Sequence, residues 1–513
     1  MSHDDPPTLT VSNPSSTSMQ QEAAPALSII WHPDLSRVGA MFSFAELEAG
    51  QGFSLSRLSP DFSLYTDKAA PLADPYLSRR PFLKFVRTDA GVRVCPEDPA
   101  ASIKLNGDPL TGAVALSSSA LAGCVILTLA RRIVLGLHLA SPSLKKIPNL
   151  GFLGNSDSMT RLRSSILSVA DTDLPVLITG ETGTGKELAA AAFASTSSRA
   201  GKPYVAINMG AVPASTAMDE LFGHQKGAFT GANDNRGGYF GEADTGTLFL
   251  DEIGLASKDV QAALLRVLES GEIRPLGARS SRRVDVRLLA ATDAQLHSMV
   301  TSGAFSQPLF HRLSSFNVDL PPLRQRREDI GVLFLHFLRE VLKQTGELAR
   351  LDVSPAAKRS WFTGDAMAMV AMAPWTGNVR QLRNFATQLA VSNKGSEVAH
   401  LDTILKSFLD RDVPAAAGAS EVQRILPLQS QEERILQALE KYGFEPSRVA
   451  RSLNISRTTV YRVIDEDPVL RKAADLSDEE LQRLNKECRG DLSEMSRRLR
   501  VSLRALKMRL GRS

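Results

Sequence analysis

Two short runs in this chain have the residue types for phosphate chemistry. Gly180-Glu181-Thr182-Gly183-Thr184-Gly185-Lys186 follows the apolar run Val176-Leu177-Ile178-Thr179 and precedes a helix-forming stretch, Glu187 through Ala194. In that setting backbone N–H groups and a helix N-terminus cradle nucleotide phosphates, and Lys186 reaches the terminal ones. A glycine-rich turn with an incidental lysine is the weaker reading, because strand and helix flank the run on the required sides. Glu187 stands where serine or threonine usually contacts magnesium, so metal binding must lean on Asp251 or on water. The second run, Leu248-Phe249-Leu250, ends in Asp251-Glu252. One acid can hold hydrated Mg2+ while its neighbour polarises an attacking water. Such a pair is often only a solvated turn, but the phosphate loop upstream favours chemistry. Ala290-Ala291-Thr292-Asp293 ends a further strand and would bring polar groups to the γ-phosphate. Arg312 and Arg380 are candidates to neutralise developing charge, although a single arginine is more often a surface residue. The expected cofactors are ATP and Mg2+.

Between these halves lies Gly227-Ala228-Phe229-Thr230-Gly231-Ala232, which holds no charge, no metal ligand and no nucleophile suited to hydrolysis. A Phe-Thr pair bracketed by glycines suits a mobile loop tip that pushes on another macromolecule.

The elements that must position these groups follow from composition. At 513 residues, the chain is too long for one core, and three or so domains is the reasonable expectation. Hydrophobic residues at 43% and charged ones at 23% are ordinary for a globular protein, and a formal charge of +4 permits nucleic-acid contact without demanding it. The three cysteines, Cys95, Cys124 and Cys488, have neither disulfide nor metal spacing. Residues 1–26, rich in Ser, Pro and Thr, read as a disordered leader and not a signal peptide. The apolar run Leu121–Leu139 is interrupted by Arg131-Arg132, which argues for strands and against a membrane span. A cytoplasmic location is expected.

Residues 27–140 carry short strand-like runs punctuated by turns and predict a β-sandwich. Residues 152–409 alternate strands with amphipathic helices, as an α/β nucleotide-binding core does, and turn helical after Pro322. Residues 410–428 read as a linker, and 429–513 as an all-α region with an internal repeat. A shift of 46 residues sets Ser447 on Ser493, Arg451 on Arg497, Leu453 on Leu499, Ile455 on Val501, Val460 on Leu506 and Ile464 on Leu510.

These motifs together resemble the sigma-54-dependent transcriptional activators, the bacterial enhancer-binding proteins, which are AAA+ ATPases. Further runs carry the resemblance: Glu220-Leu221-Phe222-Gly223-His224, Leu264-Leu265-Arg266-Val267-Leu268-Glu269, Leu320-Pro321-Pro322-Leu323-Arg324 and Trp375-Thr376-Gly377-Asn378-Val379-Arg380. The resemblance implies a homo-oligomer, from dimer to hexameric ring, with ATP sites between subunits. Hydrolysis in that ring moves the hexapeptide loops against sigma-54 RNA polymerase, turning closed promoter complexes into open ones. By position, Lys186 binds phosphate, Asp251 holds magnesium, Glu252 activates water and Asn208 switches that glutamate. Arg312 matches a trans-acting arginine finger and Arg380 a second sensor, while Phe229 and Thr230 contact sigma-54. The finger region departs from the family: Phe305-Ser306-Gln307-Pro308-Leu309 lacks a first arginine and an aspartate, and Asp293 replaces a residue that is commonly an amide or His. ATPase activity is therefore expected to be retained but slowed.

The C-terminal pair resembles the Fis-type helix-turn-helix of the same activators. Ser456 would cap a recognition helix carrying Arg457, Thr458, Thr459, Tyr461 and Arg462 toward enhancer DNA. A packing unit with a solvated basic face is the plainer alternative. The second copy, with Arg497, Arg498, Arg500, Arg504, Lys507 and Arg509, would read bases, grip phosphates or support dimerisation. The N-terminal sandwich resembles a forkhead-associated domain, with Arg57, Ser78 and Asn106 spaced to hold a phosphothreonine protein. Ser56 and Pro81 depart from that pattern, so a protein-contact or inhibitory sandwich is the competing expectation. Two rivals to the whole reading remain open: another AAA+ remodeller, and a DNA-binding regulator or repressor with an impaired ATPase core.

Overall fold

The computed structural model describes residues 23–64, 69–141, 147–230, 232–351, 360–401, 439, 444–452, 460, 492–499 and 506. Most of the expected leader, the linker 410–428, Gly231 and the recognition residues Arg457, Thr458, Thr459, Tyr461 and Arg462 lie outside the described residues. The chain divides into two units, Met1–Ala417 and Gly418–Ser513.

The first unit opens with β1 (Ala24–Trp31), β2 (Met41–Ser43), β3 (Gly52–Leu55), β4 (Leu83–Thr88), β5 (Gly91–Pro96), β6 (Ile103–Leu105), β7 (Asp108–Pro109), β8 (Val114–Ser117), the short helix α1 (Ser118–Ala122), β9 (Val125–Leu129) and β10 (Ile133–Ala140). They pair antiparallel as a six-stranded sheet, β2-β1-β10-β9-β6-β7, and a four-stranded sheet, β3-β4-β5-β8. Phe42 and Phe44 beside the first sheet meet Phe53 of the second edge-on at 4.8 Å each, which locks the two sheets face to face. The first strand starts inside the expected leader. Ala24 and Pro25 are buried and pair with Ala140 and Leu139 because β10 is long enough to receive them.

The strands β1, β9 and β10 are buried along nearly their whole length, a pattern that requires cover on both sheet faces. Ile126 and Val134 share one face of the sheet, and a bulge in β1 between Ile29 and Trp31 lets both Ile30 and Trp31 join them, with Cys124 just before β9. They enter one continuous core with Leu323, Ile330, Phe334, Phe362, Met367 and Phe385 of the helical region. Trp31 packs edge-on against Phe362 at 5.4 Å. The backbones touch as well, since a Cβ on Gly331 would come 1.9 Å from the Ile30 carbonyl oxygen. This two-sided burial is why the run Leu121–Leu139 is so apolar. No helix among the described residues is long and apolar enough to cross a membrane.

The nucleotide-binding region follows with α2 (Asp157–Ser168), β11 (Val176–Thr179), α3 (Lys186–Thr196), β12 (Tyr204–Asn208), α4 (Ala217–Phe222), α5 (Gly238–Glu242), β13 (Thr247–Asp251), α6 (Lys258–Ser270), β14 (Glu272–Ile273), β15 (Arg282–Arg283), β16 (Arg287–Thr292), α7 (Leu296–Thr301), α8 (Gln307–Leu313) and β17 (Phe316–Asp319). Five of these strands form a parallel sheet ordered β12-β13-β16-β11-β17, with separate apolar cores on its two faces. Parallel strands buried on both sides read as continuous apolar runs, as Leu248–Leu250 and Leu288–Ala291 do. The lid comprises α9 (Ile330–Gln344), α10 (Gly364–Met372) and α11 (Asn378–Ser392).

In the second unit, described helices run Pro446–Ser452 and Leu492–Leu499, starting 46 residues apart. Buried positions recur at the same offset: Val449 with Met495, Ala450 with Ser496, and Val460 with Leu506.

Candidate functional site: a nucleotide cradle and a loop beyond it

The sheet order puts β11, β16 and β13 side by side, so the groups at their C-terminal ends converge. Ligands of open α/β sheets bind outside those ends. After β11 the loop turns through left-handed φ values at Gly180 (150°), Gly183 (79°) and Gly185 (108°). Gly183 admits no side chain, because a Cβ there would lie 2.3 Å from the Gly377 carbonyl oxygen. Gly185 caps α3 with no side-chain bond to the helix N-terminus, leaving its first amides for an anion. The Lys186 ammonium, largely buried, donates to the Gly180 carbonyl across the loop at 2.9 Å. This donor set fits a polyphosphate.

At the end of β13, Asn208 Nδ2 donates to Asp251 Oδ2 at 3.3 Å, and the Glu252 amide to Asp251 Oδ1 at 3.0 Å. Glu252 itself sits at φ 54°, a left-handed conformation that a non-glycine residue holds only when its surroundings impose it. One carboxylate beside polyphosphate oxygens suits Mg2+, which keeps several waters. Among the described residues there is no cluster of three or more metal-binding side chains. Glu187 is exposed on the first turn of α3.

The strand end of β16 holds Thr292 and, just past it, Asp293. Thr292 is buried, and its hydroxyl accepts from the Ala294 amide at 3.0 Å. Asp293 instead reaches the phosphate loop, taking a 2.6 Å hydrogen bond from the Thr182 hydroxyl, and it shares another with Glu252. Burial and the Asp293 charge raise the Glu252 carboxyl, whereas the Thr182 hydroxyl lowers Asp293.

Three further side chains surround the loop. Arg324 grips the Glu181 carboxylate at two points, 2.7 and 2.6 Å, and so holds it below the ordinary glutamate range. Asn378, at the start of α11, donates to both Glu181 and the Thr182 carbonyl at 3.1 Å. Arg324 and Asn378 lie in runs already singled out, but only folding brings them to Glu181. Arg380, one turn into α11, is exposed above the loop, with its amide 3.4 Å from the Gly183 carbonyl. Arg312 lies elsewhere, in the last turn of α8, more than half exposed and 4.0 Å from Glu269. Ser306 supplies the N-cap of α8, so the altered finger segment is a helix start.

Within the hexapeptide the Gly227 N–H donates to the Ala232 carbonyl at 2.9 Å, and Phe229 is 46% exposed. Phe229 rests edge-on against His224 at 5.0 Å, and His224 is bonded to Asp219 of α4 at 2.5 Å. A second loop supports it, with Leu276 bridging to Gly223 and Gln225. In the sandwich, the Arg57 amide bonds the Ser78 carbonyl at 2.8 Å, while the Asn106 side chain accepts from the Ile126 amide at 2.8 Å.

Residues 152–319 match the sigma-54 interaction domain family, 324–418 the AAA+ ATPase lid domain, and 429–466 the bacterial regulatory proteins of the Fis family. The transcriptional regulatory protein ZraR of Salmonella typhimurium is 40% identical over 316 residues, covering 60% of this chain and 67% of that protein. The anaerobic nitric oxide reductase transcription regulator NorR of Citrobacter koseri is 40% identical over 334 residues, 63% of this chain and 64% of that one. A crystal structure of NtrX from Brucella abortus in complex with ATP is 31% identical, with a TM-score of 0.45, covering 61% of this chain and 68% of that one.

Proposed function

The chain belongs to the bacterial transcriptional regulators built on a sigma-54 interaction domain, and we propose that it is an ATP-driven activator that remodels sigma-54 RNA polymerase from closed to open promoter complex. The observation that carries this reading is the exposed Phe229-Thr230 tip on a core whose phosphate loop and acidic strand end stand intact together.

In this reading the γ-phosphate of ATP lies at Lys186, with charge developing in the transition state met by that ammonium, by Arg380 of the lid and by Arg312 from a neighbouring subunit. Asp251 would hold Mg2+, which supplies charge neutralisation across the phosphates. Glu252 takes the proton of the attacking water, and Asn208, bonded to Asp251, sets when that glutamate is aligned. A homo-oligomeric ring would complete the site, with Arg312, more than half exposed at the end of α8, reaching a neighbouring subunit. The motion passes along α4 to Asp219, His224 and Phe229. Fis-type residues Arg457 through Arg462 hold the assembly on enhancer DNA. The sandwich acts as a protein-contact domain on the lid; Arg57 and Ser78 would serve a phosphothreonine protein, with the Ser78 hydroxyl already accepting from the Arg80 amide and Asn106 partly committed to Ile126.

The rival reading, a DNA-binding regulator with an impaired ATPase, draws on Ser306 in place of the first finger arginine. A trapping experiment separates the two. With ADP and aluminium fluoride, the full chain should form a sigma-54 complex that Thr230→Ala abolishes and that Arg312→Ala weakens together with ATPase. Arg312→Ala hydrolysing at the parent rate would remove the finger assignment, and no trapped complex from the parent chain would favour the rival.

A further inference from the structure

We propose that Glu181 is a positioning residue that ties the phosphate loop to the lid, so that Arg380 is held over the nucleotide and ATP affinity depends on lid orientation. The proposal rests on the ATP reading for its consequence but not for its geometry. Glu181 is the group that both the hinge and the lid grasp. Arg324, in the turn that leads from β17 toward the lid, makes a two-point ion pair with it. Asn378 donates to the same Oε2 that accepts from Arg324 Nη1.

Asn378 is the pivot of this arrangement. It is wholly buried, at φ 53°, a left-handed conformation that asparagine tolerates better than most residues. Its amide nitrogen bonds Glu181 and Thr182, and its oxygen accepts from the Leu323 amide at 2.7 Å. Hinge, loop and lid helix thus meet at one side chain. Directly after it, the amides of Val379 and Arg380 both point at the Gly183 carbonyl, at 3.0 and 3.4 Å. The close approach of Gly183 to Gly377 leaves no slack between the surfaces. A carboxylate facing a guanidinium and a carboxamide has no reason to turn toward phosphates of its own sign, so direct nucleotide contact by Glu181 is disfavoured.

The test uses the full chain, first without nucleotide. Glu181→Gln keeps the shape and the Asn378 bond but removes the ion pair. Hydrogen exchange of the segment 376–382 should accelerate about tenfold, and Asn378→Ala should accelerate it further. ATP should then bind several-fold more weakly, with KM raised more than kcat is lowered. The swap Glu181→Arg with Arg324→Glu should restore most of the protection. Lys186→Ala, by contrast, should abolish ATP binding while leaving exchange of 376–382 unchanged. Unchanged exchange in Glu181→Gln would overturn the proposal, and weakened ATP binding with unchanged exchange would make Glu181 a direct ligand instead. If the parent chain binds no ATP, the ATP reading fails while the exchange result still decides whether the tie exists.

Discussion

The lid has two joints, and they are built from opposite materials. Toward the sandwich it offers Phe334, Phe362, Met367 and the wall around Gly331 to Ile30, Trp31, Ile126 and Val134, an apolar surface continuous with both interiors. Toward the phosphate loop it offers Asn378 and two backbone amides, joined through Glu181 to Arg324. Apolar burial is non-directional and cumulative, so the first joint behaves as part of a core. The second rests on a few directional bonds, each worth about 1 kcal/mol, with the Arg324–Glu181 pair part-exposed beside the buried Asn378, so it is the joint more open to change when nucleotide binds. The lid thus shares an apolar core with the sandwich, while its links to the ATPase region are polar, including the buried Asp329 carboxylate that accepts from Asn155 and Ser156. A signal received by the sandwich would reach the nucleotide through the lid.

The comparison breaks first at Trp31. Truncating a buried aromatic costs about 3–5 kcal/mol, and Trp31→Ala should lose that much in chemical unfolding followed through the lid. If the lid unfolds at the parent midpoint, the core is not shared. Gly331→Ala should cost roughly 1–3 kcal/mol, because the added methyl meets the Ile30 carbonyl backbone. A titration sharpens the same seam. Burial, aided by the Asp329 charge, pushes the Glu328 carboxyl up to about 8. The folded state then binds a proton that the unfolded state has released, so stability falls as pH rises from the ordinary glutamate range to about 8. Glu328→Gln should stabilise the chain by about 1–2 kcal/mol at pH 8, discounted for partial solvent access, and by much less at pH 5. A melting temperature that gains equally at both values would contradict this. The smallest effect belongs to Lys104, whose ion pair with Asp365 across the seam is part-exposed. Lys104→Ala should cost under about 1 kcal/mol, shrinking further in 0.5 M salt.

What the sequence made legible was local. Gly180 through Lys186, Asp251-Glu252 and the hexapeptide are contiguous, and their chemistry is set by neighbours within a turn or two. The seam was not legible, since Trp31 and Phe362 are distant in the chain and no periodicity names a partner. Its trace was the run Leu121–Leu139, too apolar for strands with one wet face. At the end of β16 the sequence did not say which of two adjacent polar residues would meet the phosphate loop: Asp293, just past the strand, takes the Thr182 hydroxyl, while Thr292 is buried. The Arg324–Glu181–Asn378 tie combined three residues from quoted motifs whose connection exists only across the folded hinge.

The most direct test of the account is conversion of a closed sigma-54 promoter complex to the open form by the full chain with ATP. Parent protein should open it, Glu252→Gln should bind without opening it, and Thr230→Ala should hydrolyse ATP yet leave it closed. Parent protein that hydrolyses ATP and never opens the promoter would contradict the account.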